Sequence, residues 1–290
     1  MRIVRPTALV YFAGLACILG GAAAVIGARL VPGGAWLGLV PVLFIMARGL
    51  HRPMRRWRLA RRGLSDAWRT WLQTHVPLYA TLDDAARARY ERDVLFFADE
   101  QTFEAVEGLP LTDTLRVSVA AGAALLLHGR PDWELPTQRT LLFYPDRFDE
   151  DYYGGDYAVY DGMVHAQGPI ILSAAAVEED WAHPGNGRNV VLHELAHLFD
   201  FDNGGAEGVP SLMARASAEA WQALVRREIR RVRLGNSLLR GYAATNGAEF
   251  FAVAVENFFD RPAALQHRHA HLFEALVAFF NLDPRGVRHA

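Results

Sequence analysis

The chain holds a single cysteine, Cys17, among 290 residues. A disulfide framework and a cysteine zinc cluster are both excluded, so any bound metal must draw on histidine and carboxylate side chains. A large net charge is missing too. The formal value is −2 at pH 7, which speaks against direct nucleic-acid binding by the chain as a whole. No acidic residue occurs before Ser65, while arginines crowd RGLHRPMRRWRLARR, residues 48–62. A basic stretch of this kind beside apolar sequence points to a membrane-proximal segment rather than a basic domain. Residues 64–290 contain no internal repeat, no low-complexity tract and no linker that would divide them.

Charge is absent from TALVYFAGLACILGGAAAVIGA, residues 7–28, and again from LVPGGAWLGLVPVLFIMA, residues 30–47. At ~1.5 Å per residue the first run can cross a hydrocarbon core of ~30 Å. Pro32, Gly33 and Gly34 suit the turn of a helical hairpin, and Pro41 is tolerable inside a membrane helix. Arg2 and Arg5 precede the first run, seven arginines follow the second, and only Arg29 lies between. The positive-inside rule then predicts that both ends face the cytoplasm. A cleaved signal peptide, with Ala22 and Ala24 near its end, is the alternative; the second run and the basic cluster argue against it. The expectation is a multi-pass anchor in the inner (cytoplasmic) membrane over residues 1–62, with a globular domain over 63–290 facing the cytoplasm.

The globular part reads as α+β. SDAWRTWLQTHV opens as a capped helix at Ser65. LDDAARARYERDVLFFADEQTFEAV reads as one long amphipathic helix with Leu82, Ala86, Tyr90, Val94 and Phe97 at helical spacing. TDTLRVSVAAGAALLL, residues 112–127, begins at Thr112 or Asp113 and is too short to span a membrane, so it belongs to the core. RTLLFYP reads as a strand ended by Pro145, DEDYYGGDYAVYDG as a loop or hairpin, and MVHAQGPIILS as a strand pair or bulged strand. From Gly187 onward the chain is helical again. A small sheet between helices results.

The chemistry concentrates in NVVLHELAHLF. His193 and His197 are four residues apart, so on a helix they share one face and can share one zinc. Glu194 between them can take a proton from a metal-activated water and pass it to a leaving amine. GPIILS upstream is a candidate edge for an extended peptide to pair with. A catalytic zinc needs a third protein ligand. Asp200 would lie ~10 Å along a continuous helix from His193, too far to share a metal, and reads as a partner that orients His197. Glu207, Glu219, Glu228 and Glu274 read as loop or solvated residues. In AEFFAVAVENFFD, Glu249 and Glu256 sit among apolar residues, where a carboxylate is costly unless paired or bound to metal. Their spacing of seven puts both on one face; one can ligate the zinc while the other supports a histidine. HRHAH, with His267, His269 and His271, reads as solvated surface.

Taken together, VLHELAHLFD…NGGAEGVPSL, YAATNGAEFFAVAVENFF, LFYPDRF and AQGPIILS resemble the Mlc titration factor A family of zinc peptidases, over roughly residues 65–285. The resemblance implies a zincin-like, gluzincin-type domain with one Zn2+ per chain. It implies His193, His197 and Glu249 as metal ligands, Glu194 as catalytic base, and Tyr242 as a phenol that hydrogen-bonds the oxyanion. Asp200 and Glu256 are left to orient the ligands. The expected activity is zinc-dependent hydrolysis of peptide or protein substrates, with an aminopeptidase-like preference for short ones. The alternative is a membrane-tethered module that captures a repressor similar to Mlc. The hairpin departs from the soluble members the family is known for, and makes the lipid bilayer a partner.

Overall fold

The computed structural model describes every residue except 107, 137–138, 147, 150–158, 165–167, 200–208, 211, 214 and 287–290. The chain divides into two compact units, Met1–Gly63 and Leu64–Ala290. The first contains helix α1 (Pro6–Leu30), a 3-10 turn (Gly34–Gly38) and helix α2 (Leu39–Arg62). Pro6–Leu30 and Gly34–Arg62 are 25 and 29 residues long, and both are long and apolar enough to cross a membrane. Val31 leaves α1 in an extended conformation and Gly33 turns the chain at φ +76°, a value that glycine adopts without steric cost. The basic run continues α2 through Pro53 to Arg62.

Glycines set the packing of this hairpin. A Cβ at Gly38 would sit 2.5 Å from the Gly20 carbonyl oxygen and 2.7 Å from Ala24, and one at Gly49 would strike the Phe12 ring at 2.7 Å. Backbones this close need small residues, as helices packed in lipid commonly use. The outward faces stay apolar and exposed, with Val10 at 73% and Ile18 and Phe44 at 70%.

The second unit begins with three helices, α3 (Asp66–His75), α4 (Pro77–Thr81) and α5 (Asp84–Glu100). Ser65 caps α3 by accepting from the Trp68 amide at 3.3 Å. The long helix read from sequence stops at Glu100, because Thr102–Ala105 forms strand β1 instead. β1 pairs in parallel with β2 (Thr140–Tyr144), so the partner strand overrides the local helical pattern. Helix α6 (Asp113–Leu127), capped by Thr112, is buried from Val117 to Leu127. A two-residue ribbon joins β3 (Phe148–Asp149) to β4 (Val159–Tyr160). Strands β5 (Gly162–Val164) and β6 (Ile170–Ser173) follow, then α7 (Ala174–Ala182), α8 (Val190–His197), α9 (Arg215–Arg233), α10 (Gly247–Asp260), α11 (Pro262–Arg268) and α12 (Ala270–Phe280).

The main sheet runs β1-β2-β6-β5, with β5 alone antiparallel. This corrects one expectation. GPIILS supplies β6, which pairs on both sides, and the outermost strand beside it is β5. Leu141 and Phe143 of β2 and Ile170 and Leu172 of β6 point inward and are at most 1% exposed. Phe250, Phe251 and Phe258 of α10 are fully buried as well, each worth roughly 1.5–3 kcal/mol relative to exposure. Gly122 of α6 lets α8 close on it, since a Cβ there would lie 2.6 Å from Val191.

Two further readings fail for one reason. Glu228 is not solvated and HRHAH is not all surface. Glu228 and His269 are each 1% exposed and meet at 2.6 Å, Glu228 Oε2 to His269 Nδ1. Each removes the other's burial penalty, which neither local sequence reveals.

Candidate metal centre

Two asparagines start the two helices that carry the site. Asn189 Oδ1 accepts from the Leu192 amide at 3.0 Å and begins α8. Asn246 Oδ1 accepts from the Glu249 amide at 2.9 Å and begins α10. Both are N-caps with the short polar side chain such positions favour. Asp180 of α7 adds an acceptor for the Val190 amide at 2.7 Å. The helix starts are thereby fixed, and with them the side chains one turn further on.

The structure brings His193, His197 and Glu249 together. One ligand atom from each lies within 4.8 Å of the others. Glu249 Oε2 is 3.0 Å from His193 Nε2 and 3.6 Å from His197 Nε2. Ligand bonds of ~2.0–2.2 Å around a tetrahedral zinc put neighbouring donor atoms about 3.3–3.6 Å apart; separations of 3.0 and 3.6 Å are close to that span, so the three side chains are positioned to hold a metal ion. The histidine rings stand nearly perpendicular, at 83°, with centroids 5.0 Å apart. Glu256 meets the far side of the first ring: its Oε1 is 2.7 Å from His193 Nδ1. A carboxylate on Nδ1 directs Nε2 toward a metal and raises its basicity.

Glu256 is held in turn. Its Oε2 accepts from the Asn189 amide at 2.9 Å and from Arg240 Nη1 at 2.7 Å. These donors offset the cost of burying a carboxylate that is 1% exposed. Arg240 also lies 5.8 Å from the Tyr242 ring centroid. Tyr242 is in the 3-10 turn Gly241–Ala244, 44% exposed, with its ring 5.9 Å from that of His193. It lines the mouth of the same cavity as His193.

Glu194 is 5% exposed and faces the outermost strand. A Cβ at Gly162 of β5 would fall 2.6 Å from Glu194 Oε1. Only glycine allows the strand to lie directly on this carboxylate. Burial pushes the Glu194 carboxyl up to about 7, against the downward pull of the two imidazoles. Asp180 is pushed up to about 6, by burial above all. Glu194, His193, Tyr242, Arg240, Asp161 and Asp180 line a cavity of about 410 Å3. Asp200 lies outside the described residues.

His193 and Glu249 titrate against each other. Burial alone would lower His193, but its bonds to Glu249 and Glu256 outweigh that and raise it to about 10. Glu249 is held well below the usual carboxylate range: burial opposes this, and the two histidines overcome it. A metal cation and the His193 proton compete for the same nitrogen. Below pH 10 that proton must leave before zinc binds, so affinity rises with pH through this range. Calorimetry at pH 8 in buffers of different ionisation enthalpy should register about one proton released per zinc from this histidine. Proton-neutral binding at pH 8 would contradict the pairing.

Arg240, Asp180, Asn189 and Gly162 escaped sequence reasoning. The two asparagines carry a local signal, a capping residue just ahead of an apolar helical pattern, with Glu249 completing the Asn-x-x-Glu spacing of a capping box. Arg240 and Asp180 have none, because their partners are remote in sequence.

The sequence pattern of the glucose-regulated metallo-peptidase M90 family matches residues 51–281. An uncharacterised protein of Synechocystis is 31% identical over 244 residues, covering 79% of this chain and 89% of that protein. Proteins named Mlc titration factor A, from Yersinia pestis and Yersinia pseudotuberculosis, are 29% identical over 231 residues, covering 72% of this chain and 83% of theirs.

Proposed function

The chain belongs to the glucose-regulated metallopeptidase family M90, and from that premise we propose that it is a membrane-anchored, zinc-dependent peptidase. The observation that carries the reading is the convergence of His193, His197 and Glu249 beside a buried Glu194 under the outermost strand of the sheet. His193, His197 and Glu249 hold one Zn2+. Bound zinc supplies Lewis acidity and lowers the pKa of water to about 7.

The chain's own residues do the rest. An extended peptide adds to β5, antiparallel or parallel, using backbone hydrogen bonds for affinity. Gly162 brings that peptide over Glu194. The Glu194 carboxylate takes the proton of the attacking water and returns it to the leaving amine; a conjugate acid near 7 suits both transfers at neutral pH. The Tyr242 phenol donates a hydrogen bond to the developing oxyanion. Glu256, braced by Arg240, keeps His193 in the tautomer whose Nε2 faces the metal. Short peptides with a free amino end, cleaved in aminopeptidase fashion, are the substrate class.

Residues 1–62 form the anchor and residues 63–290 the peptidase domain. Arginines at both ends of the two apolar runs support an orientation with that domain on the cytoplasmic side of the inner membrane. The test of the peptidase reading is metal removal. Dialysis against a chelator should abolish hydrolysis of an unblocked peptide, and zinc added back at one equivalent should restore it. Hydrolysis that survives complete removal of metal would sink the reading.

The names of the Yersinia relatives support a second reading, capture of a repressor similar to Mlc at the membrane. In that case such a repressor should bind full-length wild type and a Glu194→Gln variant equally well, and no peptide should be turned over.

A further inference from the structure

Histidine and carboxylate meet a second time, away from the metal centre. His269 sits where α11 gives way to α12, and Glu228 is on α9; both are buried. His269 Nδ1 lies 2.6 Å from Glu228 Oε2, and Arg231 donates to the same oxygen at 3.1 Å. On the opposite side of the ring, Nε2 is 3.0 Å from the backbone nitrogen of Leu238. A backbone N–H can only donate, so Nε2 is its acceptor, while Nδ1 lies against Glu228 Oε2 and 3.1 Å from Arg231 Nη1. Both nitrogens of the imidazole are committed.

Leu238 belongs to the segment that leaves α9 at Gly235, where φ is +71°, and delivers Arg240 and Tyr242 to the cavity. Its carbonyl is tied as well. Arg261 Nη2 donates to Leu238 O at 3.0 Å, while Arg261 Nε donates to Asn257 Oδ1 of α10 at 2.6 Å. Ser237 Oγ, 3.3 Å from His269 Nε2, accepts from the Leu239 amide at 3.1 Å. The Asn236 amide still bonds back to the Arg231 carbonyl of α9 at 2.9 Å; Ser237 to Leu239 lie outside helix and strand, and these side chains supply partners for their backbone. Two residues beyond Leu238, Arg240 reaches Glu256 and through it His193.

We infer that His269 is a positioning residue for the peptidase site: it latches the 235–240 segment so that Arg240 braces Glu256 and Tyr242 stands at the mouth of the cavity. The inference rests on the peptidase reading for its effect on turnover, and on geometry alone for the latch. His269 is not among the converging ligands and acts through the segment it holds, at Ser237 and Leu238.

The test uses the full chain in lipid nanodiscs, wild type beside His269→Ala and His269→Gln. Glutamine can place its amide oxygen where Nε2 stands and accept the same N–H; alanine cannot. In wild type the Leu238 amide should exchange slowly with solvent although it lies outside regular structure. In His269→Ala its exchange should rise about tenfold or more, the scale of one lost hydrogen bond. Zinc should stay at the wild-type level while kcat falls about tenfold to a hundredfold and KM changes little, as misplacement of a reacting group does. His269→Gln should recover most of both. A fast-exchanging Leu238 amide in wild type overturns the latch even if the alanine variant fails to fold. So does a His269→Ala protein with unchanged exchange, or one whose lost turnover merely follows lost zinc. If wild type hydrolyses no peptide, the peptidase reading falls and the exchange data still decide the latch.

Discussion

Glu194→Gln is expected to keep its zinc and lose hydrolysis by about 10^2–10^4-fold, the contribution of a positioned general base and acid. The substitution is nearly isosteric, so the close approach of Gly162 to this side chain survives. Glu194 is not among the three converging ligands, which is why metal content should not move. What disappears is a buried group beside the ligands that can carry a proton near neutral pH. A factor of 10^3 is about 4 kcal/mol of barrier, far more than a packing change at an isosteric position costs. Steady-state rates on an unblocked peptide, normalised to zinc measured in the same sample, check it. Undiminished turnover per zinc would remove Glu194 from the mechanism.

The second large effect concerns the metal itself. Glu249→Ala should weaken zinc binding by well over 100-fold, because a ligand is lost, whereas Glu256→Gln should cost the 10–100-fold typical of an outer partner. The order follows from which face of His193 each carboxylate meets. Glu249 faces Nε2, shared with His197 Nε2; Glu256 faces Nδ1. Competition with a chromophoric chelator gives both constants on one scale. Equal weakening by the two substitutions would mean that the carboxylates are interchangeable, and full zinc retention in Glu249→Ala would hand the ligand role to another side chain.

The two variants also separate the functional readings. A repressor-binding module has no use for a proton carrier, so a phenotype confined to Glu194→Gln favours catalysis. A phenotype produced only by loss of metal fits a scaffold.

Several features were decided by the sequence alone because their causes are local. Helical spacing puts His193 and His197 on one face, whatever the rest of the chain does. Ser65 and Thr112 start their helices by bonding amides three residues on. Two uncharged runs near the N-terminus make two long helices, and the alternation of a small strand pair with helices gives the α+β class. Resemblance to family motifs selected Glu249 over Glu256, a choice that composition and spacing left open.

Tertiary structure decided what depends on remote partners. Glu249 and Glu256 are 56 and 63 residues from His193, and no local rule says which nitrogen each will meet. Thr102–Ala105 follows a helix in register yet becomes a strand, because β2 is there to accept its hydrogen bonds. GPIILS looks like an edge until β5 pairs with it. Glu228 and His269, 41 residues apart, each read as solvated because a lone charge or imidazole is costly to bury. Buried together, each satisfies the other, and that cancellation exists only once the chain has folded.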